Sequence, residues 1–103
     1  MGEINYLRYF SETDRLRVYF ATTAGVVQTL LVQYETPIEE EWRPVVRYDT
    51  AHGFFHMDLV KPNGEAEKSI LSFTNLGESL TFAIDQIGSR WEEYRRRYEE
   101  AMR

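Results

Sequence analysis

The sequence contains no cysteine. This removes disulfide bridges, a thiolate nucleophile and a Cys-ligated zinc together, and it suits a reducing compartment. Proline and glycine are also scarce, three and six residues, and no Ser/Gly/Pro linker, repeat or low-complexity tract divides the chain. Residues 1–103 are therefore expected to form a single domain. Positive charge is in deficit, with 12 Lys and Arg against 17 Asp and Glu for a net −5. Broad phosphate neutralisation needs the opposite balance, so nonspecific binding to nucleic acid or anionic lipid is not expected. No apolar run approaches the ~20 residues of a membrane span, and Met1-Gly2-Glu3-Ile4-Asn5 has neither a basic n-region nor an apolar h-region. Tyr6 stands where a myristoylation motif wants Ser or Thr. No membrane contact and a cytoplasmic location are the expectations.

Hydrophobic residues at 43% and aromatics at 15%, against 28% charged, describe a chain that can build a core. At this length folding hides roughly 65% of the unfolded surface. Up to about Phe73 the pattern is that of strands. Leu16, Val18 and Phe20 alternate with Arg15, Arg17 and Tyr19, the period of two that gives a sheet one apolar face. Ala24-Gly25 allows a reversal into the run from Val26 to Glu35. Thr36-Pro37 and the acidic cluster Glu39-Glu40-Glu41 are expected to end that strand. Trp42, Pro44, Val46 and Tyr48 then share one face, and Arg43, Val45, Arg47 and Asp49 the other. Phe55, Met57 and Leu59 alternate with Phe54, His56 and Asp58. Lys61-Pro62-Asn63-Gly64 is the strongest hairpin signal, because Asn-Gly supplies either two positive-φ positions or a turn followed by a left-handed residue. The segment Ile4 to Phe10 fits an edge strand or a short lead-in, with strand preferred.

After Phe73 the period changes. Leu80, Ala83, Ile84, Ile87, Trp91, Tyr94 and Tyr98 recur at spacings of three and four, the stripe of an amphipathic helix over about 76–102. Asn75 and Glu78 occupy the N-cap and N3 positions of a capping box. Glu92 with Arg96 and Glu93 with Arg97 are spaced for i,i+4 pairing, so Arg95-Arg96-Arg97 reads as a solvated, ion-paired face. The fold class is α+β: an antiparallel meander of about five to six strands, within about 4–73, covered by one long C-terminal helix.

The densest chemistry lies between Tyr48 and Asp58, which hold both histidines of the chain and two aspartates, with Arg47 just ahead of them. The plainest reading of Asp49-Thr50-Ala51-His52-Gly53 is a connection, with Asp bonding local amides and Gly at positive φ. As a catalytic set, His52 and His56 would act as a general acid/base pair with Asp49, and Arg47 would hold a phosphate. As a metal set, His52, His56 and Asp58 offer imidazole and carboxylate ligands suited to zinc, iron or manganese. A third possibility is a small-ligand pocket between sheet and helix, beside Arg47 and His52. No cofactor is required by the sequence.

A helix of ~27 residues is ~40 Å long, whereas seven-residue strands span only ~24 Å. Part of the stripe is thus expected to overhang the sheet and expose Trp91, Tyr94 and Tyr98 as a partner interface. A homodimer through this helix end or a sheet edge is expected. Another protein partner is the alternative, with nucleic acid reserved for the enzyme reading.

From Glu41-Trp42-Arg43-Pro44-Val45-Val46-Arg47-Tyr48-Asp49-Thr50-Ala51-His52-Gly53 through His56 and Asp58 to Pro62-Asn63-Gly64, the chain resembles a family of small prokaryotic proteins known as a domain of unknown function. The resemblance covers the middle third and implies no activity. A looser likeness to small toxins of toxin–antitoxin pairs, which place histidines after an Arg/Asp-bearing strand, gives the enzyme alternative its form: a small RNase-like or metal-dependent hydrolase centred on His52 and His56. The leading expectation is a protein of unknown function that acts through self-association.

Overall fold

Alternation and turn chemistry lay the sheet down one hairpin at a time. The computed structural model describes residues 1–103, the side chain of His52 excepted. Strands β1 (Gly2–Ser11), β2 (Asp14–Thr23), β3 (Val26–Ile38), β4 (Glu41–Asp49), β5 (His56–Val60) and β6 (Ala66–Ile70) precede one helix, α1 (Leu76–Ala101). They lie in sequence order in a single sheet, each antiparallel to the next. The α+β meander expected from the pattern is present, with six strands and β1 as one edge.

The turns follow their residues. Ala24 and Gly25 both take positive φ, 52° and 79°, as a two-residue hairpin loop requires. In the Lys61-to-Glu65 loop only Gly64 of the Asn-Gly pair does so, at 91°. Its amide donates to the Lys61 carbonyl at 2.8 Å, and Asn63 Oδ1 accepts from the Glu65 amide at 2.9 Å. This is the turn-plus-left-handed form.

Two expectations along β3 and β4 are corrected. The third strand does not stop at Thr36-Pro37 but continues to Ile38. Pro37 is tolerated because β2 begins at Asp14, opposite the stretch before it, so this part of β3 pairs only with β4. Glu39 and Glu40, at φ 52° and 69°, form the turn itself. Alternation along β4 also breaks, because the register jumps between Tyr34↔Val46 and Glu35↔Pro44 and leaves Val45 as a bulge residue. Val45 and Val46 are consequently both buried. Trp42 is turned to the face away from the helix, where the Arg15 guanidinium sits 3.9 Å from its ring centroid.

The core lies between α1 and the other face. Leu16, Val18, Leu30, Val32, Tyr34, Val46 and Tyr48 from the sheet meet Ala83, Ile87 and Tyr98 from the helix. Asn75 caps α1, its Oδ1 accepting from the Glu78 amide at 2.9 Å. The expectation that Trp91, Tyr94 and Tyr98 stand exposed is corrected. Trp91 stacks on Phe10, centroids 5.3 Å apart, and meets Tyr34 edge-on. The Tyr94 hydroxyl lies 3.4 Å from that of Tyr48, and Tyr98 is only 2% exposed. The physical reason is strand length: β3 has 13 residues, or ~43 Å, against ~39 Å for the 26 residues of α1. No overhang is left.

The arginine run is a solvated, ion-paired face only in part: Arg96 is exposed and Arg95 pairs with Glu99 at 3.4 Å, but Arg95 and Arg97 also reach inward. Arg97 donates from Nη2 to the carbonyls of Val45 and Val60, at 3.0 and 3.2 Å, clamping α1 to β4 and β5. Burial holds its guanidinium below the usual arginine range. Arg95 reaches Asp14, which is fully buried and also accepts from Ser11, Thr13 and the Tyr34 hydroxyl. Burial first, and this hydrogen bond second, push the Tyr34 phenol far above its ordinary range. Glu93 pairs with Arg90 instead of Arg97. Among the described residues, no helix is long and apolar enough to cross a membrane.

Candidate metal centre

Because alternate residues of a strand share a face, the residues opposite the helix side can be read from the register. Tyr48 and its partner Met57 face α1, so Arg47↔Asp58 and Asp49↔His56 face away from it. Lys68 pairs with Asp58 across β5 and β6, and Gln33 with Arg47 across β3 and β4. A polar row thereby crosses five strands. Arg15 and Arg17 donate from Nε to the two oxygens of Glu35 at 2.7 and 2.9 Å. Gln33 donates to Glu35 and accepts from Arg47 Nε at 2.8 Å. Burial alone would raise the Glu35 carboxyl, but the hydrogen bonds from Arg17, Arg15 and Gln33 outweigh it and hold Glu35 below the usual carboxylate range.

At the other end of the row stands His56, 1% exposed. Its Nδ1 lies 3.2 Å from the Phe54 carbonyl, which can only accept, so Nδ1 carries the proton. Nε2 then faces two carboxylates, 3.1 Å from Asp49 Oδ1 and 3.5 Å from Asp58 Oδ2. Asp49 Oδ1 also accepts the Ala51 amide at 2.8 Å, which fixes the carboxylate at the start of the single 3-10 turn Ala51–Gly53. The Leu30 amide donates to Thr50 Oγ1, anchoring that turn to β3. Gly53 ends it at φ 85°, the positive value expected for this glycine.

Three ligand atoms, one each from Asp49, His56 and Asp58, lie within 4.8 Å of one another. Bonds of ~2.1 Å place neighbouring ligand atoms ~3.0 Å apart in an octahedron and ~3.4 Å apart in a tetrahedron. The two measured separations from Nε2, 3.1 and 3.5 Å, lie in this range without selecting one geometry. Among the described residues Asp58 Oδ1 is buried without a hydrogen-bond partner, and Lys68 Nζ lies 3.7 Å from it. Arg47 Nη1 is 3.8 Å from Asp58 Oδ2. Both cations are partly exposed, 42% for Lys68 and 32% for Arg47.

The structure therefore brings together Arg47, Asp49, His56 and Asp58, four of the five residues singled out in the sequence. The fifth, His52, has its side chain outside the described residues, although its backbone lies in the 3-10 turn beside the site. Arg47 shares the lining of a small cavity with Pro44, Val60, Pro62 and Tyr98 of α1, while its guanidinium is on the face opposite the helix, held by Gln33 and Asp58. Lys68 was not anticipated. The sequence left it open, since a two-residue Asn63-Gly64 turn opposes residues whose numbers sum to 127, whereas the observed loop is centred on Asn63 and pairs residues that sum to 126, as 58 and 68 do.

A family model described as "Domain of unknown function (DUF7718)" matches residues 1–103, and the chain belongs to that family. The match runs over the whole length and brings no activity with it. No curated protein and no solved structure matches the chain.

Proposed function

We propose that this protein binds a divalent transition metal through Nε2 of His56 and the carboxylates of Asp49 and Asp58, and uses the ion to activate water against a phosphate-bearing substrate. The orientation of His56 carries the reading. Its Nδ1 proton is committed to a backbone carbonyl, the arrangement that directs a metal-ligating imidazole, so Nε2 offers a lone pair toward two carboxylates. Either a metal ion between them or the proton of an imidazolium makes that geometry favourable, and one nitrogen with two carboxylates forms a metal-ligand set. One nitrogen and two hard oxygens suit manganese, iron or zinc. Asp49, His56 and Asp58 would hold the ion, which when bound would supply a water of pKa lowered toward ~7. With the charge of Asp58 so neutralised, Arg47 and Lys68 would be free to hold substrate oxygens at the rim.

The Trp42-to-Gly53 string supplies Arg47 and Asp49, and we infer that it is the signature of the family. The cysteine-free composition suits the cytoplasmic setting proposed for it.

Calorimetric titration of metal-free protein with Mn²⁺ and Zn²⁺, joined to ¹⁵N spectra of the imidazoles, tests the proposal. Saturable one-to-one binding that shifts Nε2 of His56, and that is lost in Asp58→Asn, is the expected result. An Nε2 resonance of an imidazolium, unmoved by millimolar metal, would mean that His56 is an ion-pair partner only, and the proposal would fail.

A further inference from the structure

Four of the exposed apolar side chains lie on one strand. Ile4, Tyr6, Leu7 and Tyr9, at 47%, 39%, 40% and 55% exposure, all belong to β1. This strand is one edge of the sheet, so half of its backbone N–H and C=O groups point away from β2. Helix α1 packs mainly on β3 and reaches β1 only at its end, through Phe10 and Arg8. Ile4 and Tyr6, on the helix side of the strand, are left uncovered.

Edge strands are normally blunted by proline, charged side chains, shortness or a central bulge. β1 has no proline, and its two charges, Glu3 and Arg8, lie away from its centre: it is ten residues long and pairs regularly with β2 from Gly2 to Tyr9, the one irregularity falling beyond Tyr9. The opposite edge, β6, is only five residues and carries Glu67 and Lys68 at its centre. One edge is thus open and the other protected.

The geometry points to a homodimer in which β1 pairs antiparallel with β1 of a second copy, joining two sheets into one of twelve strands. A twofold axis normal to the sheet must pass midway between the two copies of one residue, and placing it between the Tyr6 residues centres the pairing on the regular part of the strand. Tyr6 then faces its own copy, Ile4 lies beside the stem of Arg8, Asn5 beside Leu7, and Glu3 beside Tyr9. Neither Glu3 nor Arg8 opposes its own charge. A second copy fits because an antiparallel edge is complementary to itself, an isologous contact. The overlap over residues 2–10 spans ~30 Å and buries roughly 1,000 Å² in total, the lower bound for a specific dimer. Growth stops at two copies because only the β6 edges remain.

Sedimentation at 5–200 µM tests this, with wild type expected to pass from the 12.2 kDa chain to twice that mass. Tyr6→Lys sets two ammonium groups against each other on the axis and should weaken association at least tenfold while leaving the circular dichroism spectrum unchanged. Ile70→Lys, on the other edge, should have no effect. Since the chain has no cysteine, Tyr6→Cys provides a separate reading, because the paired residues would be ~4.5–5.5 Å apart at Cα and oxidise to a covalent dimer. A monomer at 200 µM, a dimer that survives Tyr6→Lys or is broken by Ile70→Lys, or assemblies larger than two would each overturn the inference.

Discussion

Replacing Glu35 with alanine removes the acceptor that holds Arg15, Arg17 and Gln33 together. Arg15 has only 11% of its side chain exposed, so it is left as a nearly buried charge without its counter-ion. Breaking such a pair from one side costs about 3–5 kcal/mol. Unfolding entropy of ~2.1 cal/mol/K per residue gives ~0.22 kcal/mol/K for this length, and hence a fall in Tm of about 14–23 °C. Arg17→Ala is the comparison, because that side chain is 34% exposed and its loss should cost about 1 kcal/mol or less. The pH dependence carries a second signature. A carboxyl held below its unfolded value stabilises the fold above the ordinary carboxylate range, and the contribution is lost as pH falls through the lowered value. Wild type should therefore lose stability on acidification more steeply than Glu35→Gln. Thermal melts by circular dichroism between pH 3 and 7 decide the matter. If Glu35→Ala melts within about 4 °C of wild type, or if the acid limbs of wild type and Glu35→Gln coincide, the ladder is not holding the sheet as argued.

Asp14→Ala removes the partner of Tyr34, Ser11, Thr13 and Arg95 at once and should cost about 3 kcal/mol or more, measured by urea unfolding. A change under 1 kcal/mol would contradict its role. Gly64→Ala should cost about 1 kcal/mol through its φ of 91° alone, as nothing lies within 4 Å of an added Cβ.

Much of the architecture was legible because local and global preferences agree. The stripe from Leu80 to Tyr98 and the Asn75 cap define α1 almost to the residue, and Asn63-Gly64 places the last hairpin. What could not be read depended on neighbours distant in sequence. Pro37 forbids a strand only where a ladder partner needs its amide, and whether β2 extends that far is not written near Pro37. The Val45 bulge is invisible for the same reason: Val-Val is compatible with either face, and the choice is made by Tyr34 and Glu35 on the neighbouring strand. Asp14 went unnoticed because a lone aspartate in a turn looks solvated. Only Tyr34, 20 residues on, and Arg95, 81 residues on, reveal it as buried. The candidate site was the reverse case, since Asp49, His56 and Asp58 are close in sequence and the β4–β5 register completes their convergence.

The sequential order of the meander has a bearing on how the chain folds. Every strand pairs with the one made just before it, so the sheet can zip up hairpin by hairpin through short loop closures. The helix is different, because it docks chiefly on β3 and is synthesised after all six strands. Until then Leu16, Val32 and Tyr34 have no cover, and the nascent sheet presents to the cell an apolar surface that vanishes once Trp91 and Arg97 have swung into place.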